Sequence, residues 1–239
     1  RRLYQINDQR CWPGRSGRPQ CLFILPIDQF AEDASGQLCD SWVYQRLGEA
    51  WQTERYTFDP AVPLVRPERL RSDDGPYLLI FTVSDANNDE NKPHFKPLQA
   101  ALVPVLTKPC PLPLDSYYER VVYQFLRKHR ASFARNAKIP IRVIKPLSDI
   151  ETALGACRPD VILELGEIGG KTRIIEVMGS EDADYLASKA MTIPRMMTIG
   201  PVDTFNAFRA EQKGRLEEWA EGGVCNQLRL LINDPDPKV

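Results

Sequence analysis

The chain has 239 residues, 43% hydrophobic and 26% charged, with a net charge of −1; this is the balance of a folded globular protein, not of a disordered or collagen-like one. No apolar run reaches the ~18 residues needed to cross a bilayer, and Arg1-Arg2-Leu3-Tyr4-Gln5 lacks the apolar stretch of a secretory signal, so a cytoplasmic location is expected. Cysteines at 11, 21, 39, 110, 157 and 225 form no C-x2-C pair, which points to reduced thiols rather than a zinc knuckle or a disulfide framework.

In chain order, residues 1–110 read as a small mixed α+β accessory domain. Extended apolar runs occupy 21–27 and 77–83. A helix is expected over 40–51, where Asp40-Ser41 offers a cap and Val43, Leu47, Ala50 and Trp51 recur on one helical face. Loops rich in Pro, Asp and Asn are expected at 58–67 and 84–97, and a second helix over 98–106, against the grain of Pro104. This part carries no motif tied to a chemistry, and its apolar runs are a candidate surface for a protein partner. Trp12, Trp42 and Trp51 read as core or interface residues.

The stretch Pro109-Cys-Pro-Leu-Pro113 reads as a joint, and residues 111–239 as a second domain. Asp115 or Ser116 caps a helix over 117–129 with Tyr118, Val121, Val122, Phe125 and Leu126 as its apolar stripe. A β-branched strand follows over 139–144, then a short helical stretch over 147–154. Two apolar runs, 160–165 and 172–177, flank a Gly-Glu-Ile-Gly-Gly turn and form a β-hairpin. A helix beginning after Asp182 carries Tyr185, Leu186, Lys189, Ala190 and Ile193, and Pro194 kinks or ends it. A strand within 197–205 and a helix over 207–220, stopped by Gly222-Gly223, complete the order.

Chemistry concentrates on the hairpin. Asp160 opens one apolar strand and Glu176 lies near the end of the next. Antiparallel neighbours sit ~5 Å apart, so the two carboxylates can converge. Paired anionic oxygens suit Mg²⁺ or Mn²⁺, which stabilise charge on a phosphodiester and activate water. Asp160 alone reads equally well as the polar start of a strand. Glu176 is harder to explain away, because an acid between Ile175 and Val177 in a central strand is costly unless paired or metal-bound.

Together, Arg158-Pro-Asp160, the hairpin and Glu176 resemble the PD-(D/E)XK, restriction-endonuclease-like nuclease superfamily, over residues 115–221. The resemblance implies an α/β fold with an αβββαβ core, a divalent metal on Asp160 and Glu176, and a further acid on the first helix, here Glu119. Glu176-Val-Met-Gly-Ser followed by Tyr185-Leu-Ala-Ser-Lys189 is similar to a bacterial family associated with plasmids and mobile elements. One position departs from the pattern. The superfamily lysine two residues after the Glu is Met178 here, and Lys189, one turn past Tyr185 on the next helix, is the substitute.

Eight basic residues and no acid follow Glu119 up to position 145: Arg120, Arg127, Lys128, Arg130, Arg135, Lys138, Arg142 and Lys145. Such a run is either a solvated face or a phosphate-docking surface, with Tyr123 and Phe133 available for contact. The implied function is a metal-dependent nuclease acting on nucleic acid, DNA in preference to RNA. The alternative, motivated by Met178, is an inactive nuclease-like module that binds DNA or a protein partner.

Overall fold

The computed structural model describes residues 20–66, 75–85, 95–167 and 169–233, and the chain divides into two units, Arg1–Tyr117 and Tyr118–Val239. The described part of the first unit is built of strands: β1 (Gln20–Glu32), β2 (Leu38–Leu47), β3 (Ala50–Val62), β4 (Leu64–Val65), β5 (Tyr77–Asp85), β6 (Phe95–Thr107) and β7 (Cys110–Pro113). They form one sheet in the order β3-β2-β1-β5-β6-β4, with β7 on β6. Alternate residues of the central strands point to one face, where Ile27, Leu79, Phe81, Val83 and Leu102 gather into a core.

Both helices expected in this unit are strands. Residues 40–51 form the end of β2, a tight turn and the start of β3, with Leu47 opposite Ala50 across Gly48-Glu49. Gly48 sits at φ 64°, which a two-residue hairpin turn requires and most side chains resist. The apolar spacing fits a helix, but the β-propensity of Trp42-Val43-Tyr44 and pairing with β1 decide the outcome. Residues 98–106 lie in β6, where pairing with β5, β4 and β7 overrides the helical preference of Gln99-Ala100-Ala101-Leu102. Residues 110–113, which read as a joint, continue the first sheet as β7. Trp12 lies outside the described residues.

The second unit follows the αβββαβ order. Helix α1 (Tyr117–Ala137) runs two turns beyond the expected end; β8 (Ile141–Ile144), β9 (Val161–Leu165), β10 (Lys171–Met178), α2 (Ala183–Met196) and β11 (Val202–Asn206) follow. The sheet order is β11-β10-β9-β8. β8–β9 and β9–β10 are antiparallel, whereas β10–β11 is parallel, as a crossover through α2 demands. Ile162 and Ile174 pack with Cys157 and Met196 in one core cluster.

Two expectations change here. Residues 147–154 are not helical: Ile150 and Cys157 exchange backbone hydrogen bonds of 2.8 and 3.0 Å, and the Thr152 hydroxyl donates to the Gly155 carbonyl at 2.7 Å, closing the turn between them. The helix expected over 207–220 is two, α3 (Ala207–Gln212) and α4 (Leu216–Asn233). Gly214, at φ 64°, makes the break. Gly222-Gly223 does not stop α4, because the stripe Ala220, Val224, Leu228 and Leu231 is buried. That burial outweighs the ~1 kcal/mol each interior glycine costs. Among the described residues no helix is long and apolar enough to cross a membrane.

Candidate active site

β9 and β10 set the geometry. Val161 lies opposite Ile175, so the next residues outward, Asp160 and Glu176, face each other where the hairpin opens. Both are buried, Glu176 completely. The Asp160 carboxylate accepts the Val177 N–H at 2.7 Å, and the Glu176 carboxylate lies 3.4 Å from the Asp160 N–H. Each acid is therefore tied to the backbone beside the other.

Helix α2 then delivers the lysine. Lys189 Nζ pairs with Glu176 Oε1 and lies 5.3 Å from the centre of the Tyr185 ring. The Tyr185 hydroxyl accepts the Gly179 N–H at 3.1 Å and lies 3.4 Å from the Val177 carbonyl, fixing α2 to the end of β10. The i, i+4 spacing of Tyr185 and Lys189 puts both on the helix face turned to that strand. Met178, where the superfamily lysine would stand, is 9% exposed. An ammonium thus reaches the hairpin glutamate from the next helix instead.

From the other side, α1 brings in Glu119. Its carboxylate oxygen and that of Asp160 lie within 4.8 Å, and Lys145, just past β8, donates to Glu119 Oε2 at 2.7 Å. Tyr123, one turn further along α1, places its hydroxyl 2.9 Å from the Asp160 carbonyl and 3.3 Å from the Ile144 carbonyl.

The electrostatics follow from burial. Desolvation first, then the Asp160 charge, push the Glu176 pKa up, and Lys189 opposes both. Burial acts against the Lys189 ammonium, but Asp160 and Glu176 outweigh it and hold its pKa above the ordinary lysine range. The site therefore resists a full set of carboxylate charges as it stands, and a bound cation would relieve that. Glu119, Asp160 and Glu176 offer only hard oxygen donors, the chemistry Mg²⁺ or Mn²⁺ takes, so the residues fit a divalent ion.

The basic run divides. Arg127, Lys128, Arg130, Arg135 and Lys138 are exposed and Arg142 is half-buried. Lys128 pairs with Glu221 at 2.7 Å, and Arg142 with Glu164 at 3.3 Å. Two expected docking residues do not lie on that surface: Arg120 is 2% exposed and the Lys145 side chain 2%, because both belong to buried ends of elements. Tyr123, offered as a base contact, is buried with its hydroxyl on backbone carbonyls. Glu164, engaged by Arg142, lies four residues along β9 from Asp160, roughly 13 Å away.

Residues 115–223 match the family described as restriction endonuclease-like C-terminal domain. The second unit has a restriction-endonuclease-like fold. A protein of Escherichia coli described as an uncharacterized protein in the cib 5′ region is 33% identical over 102 residues, which is 40% of this chain and 47% of that protein. The chain thus aligns with about half the length of this curated relative. Asp160, Glu176 and Lys189, the residues the sequence resemblance groups together, meet in the structure. Lys145 and Tyr123, expected on a nucleic-acid surface, lie instead against the Glu119 carboxylate and the Asp160 carbonyl. One signal for Lys145 was present: it directly follows the apolar strand Ile141-Arg-Val-Ile144, at the sheet end where Asp160 enters.

Proposed function

We propose that the restriction-endonuclease-like domain is a divalent-metal-dependent nuclease hydrolysing phosphodiester bonds, with DNA in preference to RNA as its substrate and the cytoplasm as its place of action. The observation that carries this reading is the contact of Lys189 with Glu176 opposite Asp160. It supports α2 supplying the lysine that Met178 omits, and so favours an active centre over an inactive module. The Glu-Val-Met-Gly stretch with Tyr185 and Lys189 supports a place among proteins of mobile elements.

Asp160 and Glu176, with Glu119 beside them, would hold Mg²⁺ or Mn²⁺. Such an ion, when bound, lowers the pKa of coordinated water and offsets charge on the phosphate. Lys189 keeps a proton and a positive charge at the edge of the carboxylate cluster, where a phosphate oxygen would otherwise meet only anions. Arg127, Arg130, Arg135 and Lys138 on and beyond the solvent face of α1, with Lys128 and Arg142, supply counter-charge for a nucleic-acid backbone. A protein partner for residues 1–110 belongs to the same proposal, on the strength of exposed apolar side chains on that sheet, Leu22 and Ile24 among them.

The test is nicking and cleavage of supercoiled and single-stranded circular DNA with Mg²⁺ or Mn²⁺, with an EDTA control and Glu176→Ala in parallel. Cleavage that EDTA and the substitution both abolish is expected. Cleavage surviving Glu176→Ala would sink the assignment. A folded protein that binds DNA without cleaving it, and takes up no divalent metal, would return the inactive module.

A further inference from the structure

A second lysine–carboxylate pair lies beside the first. Lys145 and Glu119 are joined at 2.7 Å, with side chains 2% and 4% exposed, so this is a buried ion pair rather than a surface one. Ionised groups are seldom placed where water cannot reach them unless the pair does something a hydrophobic pair would not. Three elements meet at this point: α1 gives Glu119, the end of β8 gives Lys145, and the start of β9 gives Asp160. Tyr123 pins them together, because its hydroxyl reaches the carbonyls of Ile144 and Asp160, the residue before Lys145 and the acid itself. Glu119 lies one helical turn before Tyr123, so the peg and the acid share a face of α1. The register that results puts a Glu119 oxygen within 4.8 Å of an Asp160 oxygen.

We propose that Lys145 is a positioning residue of the metal site, not a nucleic-acid contact: its ammonium holds the Glu119 carboxylate in the rotamer that presents an oxygen beside Asp160. This rests on the metal-dependent reading above. A buried carboxylate near a second one would otherwise turn away from it or lose its charge. Lys145 engages Glu119 at Oε2, and each carboxylate oxygen can accept from more than one partner. Lys145 is thus to Glu119 what an outer partner is to any metal ligand, and removing such a partner typically lowers metal affinity about 10–100-fold.

The experiment is titration of the full chain with Mn²⁺ by calorimetry, with no nucleic acid present, for wild type, Lys145→Met, Glu119→Gln and the double variant, each checked for fold by circular dichroism. Lys145→Met and Glu119→Gln are each expected to bind Mn²⁺ about 10-fold or more weakly, and the double variant no more weakly than Glu119→Gln alone. If Lys145→Met is unfolded, the double variant, which removes both partners of the pair, carries the comparison with Glu119→Gln. Wild-type affinity in Lys145→Met overturns the proposal. So does a double variant about 10-fold weaker again than Glu119→Gln, since Lys145 would then act on something else. A wild type that takes up no Mn²⁺ removes the metal reading itself, and the role of Lys145 with it; binding by wild type with no effect of Lys145→Met removes only the latter.

Discussion

Asp40 in β2 and Glu176 in β10 are both acids within strands, both buried, and both paired with a basic side chain, yet they are held in opposite ways. Asp40 accepts from Arg55 at 2.9 and 2.6 Å and from Thr57 at 2.7 Å, all from the neighbouring strand β3. Those bonds, Arg55 first, hold its carboxyl below the usual range. Arg55 itself is mostly in water, with a side chain 60% exposed. Glu176 is fully buried, meets another carboxylate, and has its pKa pushed up by burial even with Lys189 against it. One acid is fully satisfied by the local sheet, and the other is maintained under electrostatic stress by residues from separate elements. An acid of the second kind is the candidate for a working site, and Glu176 is the one to test.

The sharpest way to break this contrast is Glu176→Gln. Cleavage is expected to fall at least about 100-fold, the upper end of what even outer partners of a metal cost, while the thermal midpoint stays within a few degrees. Removing a charge that burial disfavours costs little stability, provided the amide still accepts from Lys189. Unchanged cleavage would show Glu176 to be as structural as Asp40.

Next in size is Lys189→Met, with an expected loss of about 10²–10³-fold in kcat, the scale for removing one preorganised electrostatic donor. Met178 stands two residues from Glu176, so the strand pleat turns both to one face. Met178→Lys in the Lys189→Met background should therefore restore part of the rate. A double variant as slow as Lys189→Met would mean that the lysine works only from α2.

The contrast also explains how much was legible in the sequence. The αβββαβ order and the pairing of Asp160 with Glu176 were readable because the apolar runs at 160–165 and 172–177 are bounded by a glycine turn, and a hairpin fixes its own register. Lys189 was readable because i, i+4 spacing ties it to Tyr185. What escaped depends on non-local contacts. The strands at 40–51 and 98–106 satisfy a helical pattern locally and become sheet only through their neighbours. The burial of Arg120 and Lys145 could not be seen from a basic run, since charge composition does not tell which residues sit at the buried end of a helix or strand. The split at Gly214 and the continuation of α4 through Gly222-Gly223 reverse the usual weight of a glycine pair, because a buried stripe lies beyond it.

The smallest effect comes from Asp40. Asp40→Asn keeps the shape but loses the charge that Arg55 and Thr57 address, so chemical stability should fall modestly while cleavage stays at the wild-type rate. The pH dependence separates this from a site role. The Asp40 pKa is lowered in the folded chain, against about 3.9 when unfolded. Its contribution is therefore complete above about pH 4 and is lost as pH falls through the folded value, because the unfolded state then binds the extra proton more readily. Urea midpoints followed from pH 6 down to pH 3 should fall more steeply for wild type than for Asp40→Asn, the two curves converging at the acid end. Parallel curves would mean that Arg55 and Thr57 leave the Asp40 carboxyl unperturbed. A change in cleavage rate with Asp40→Asn would remove the distinction between a satisfied strand acid and a poised one.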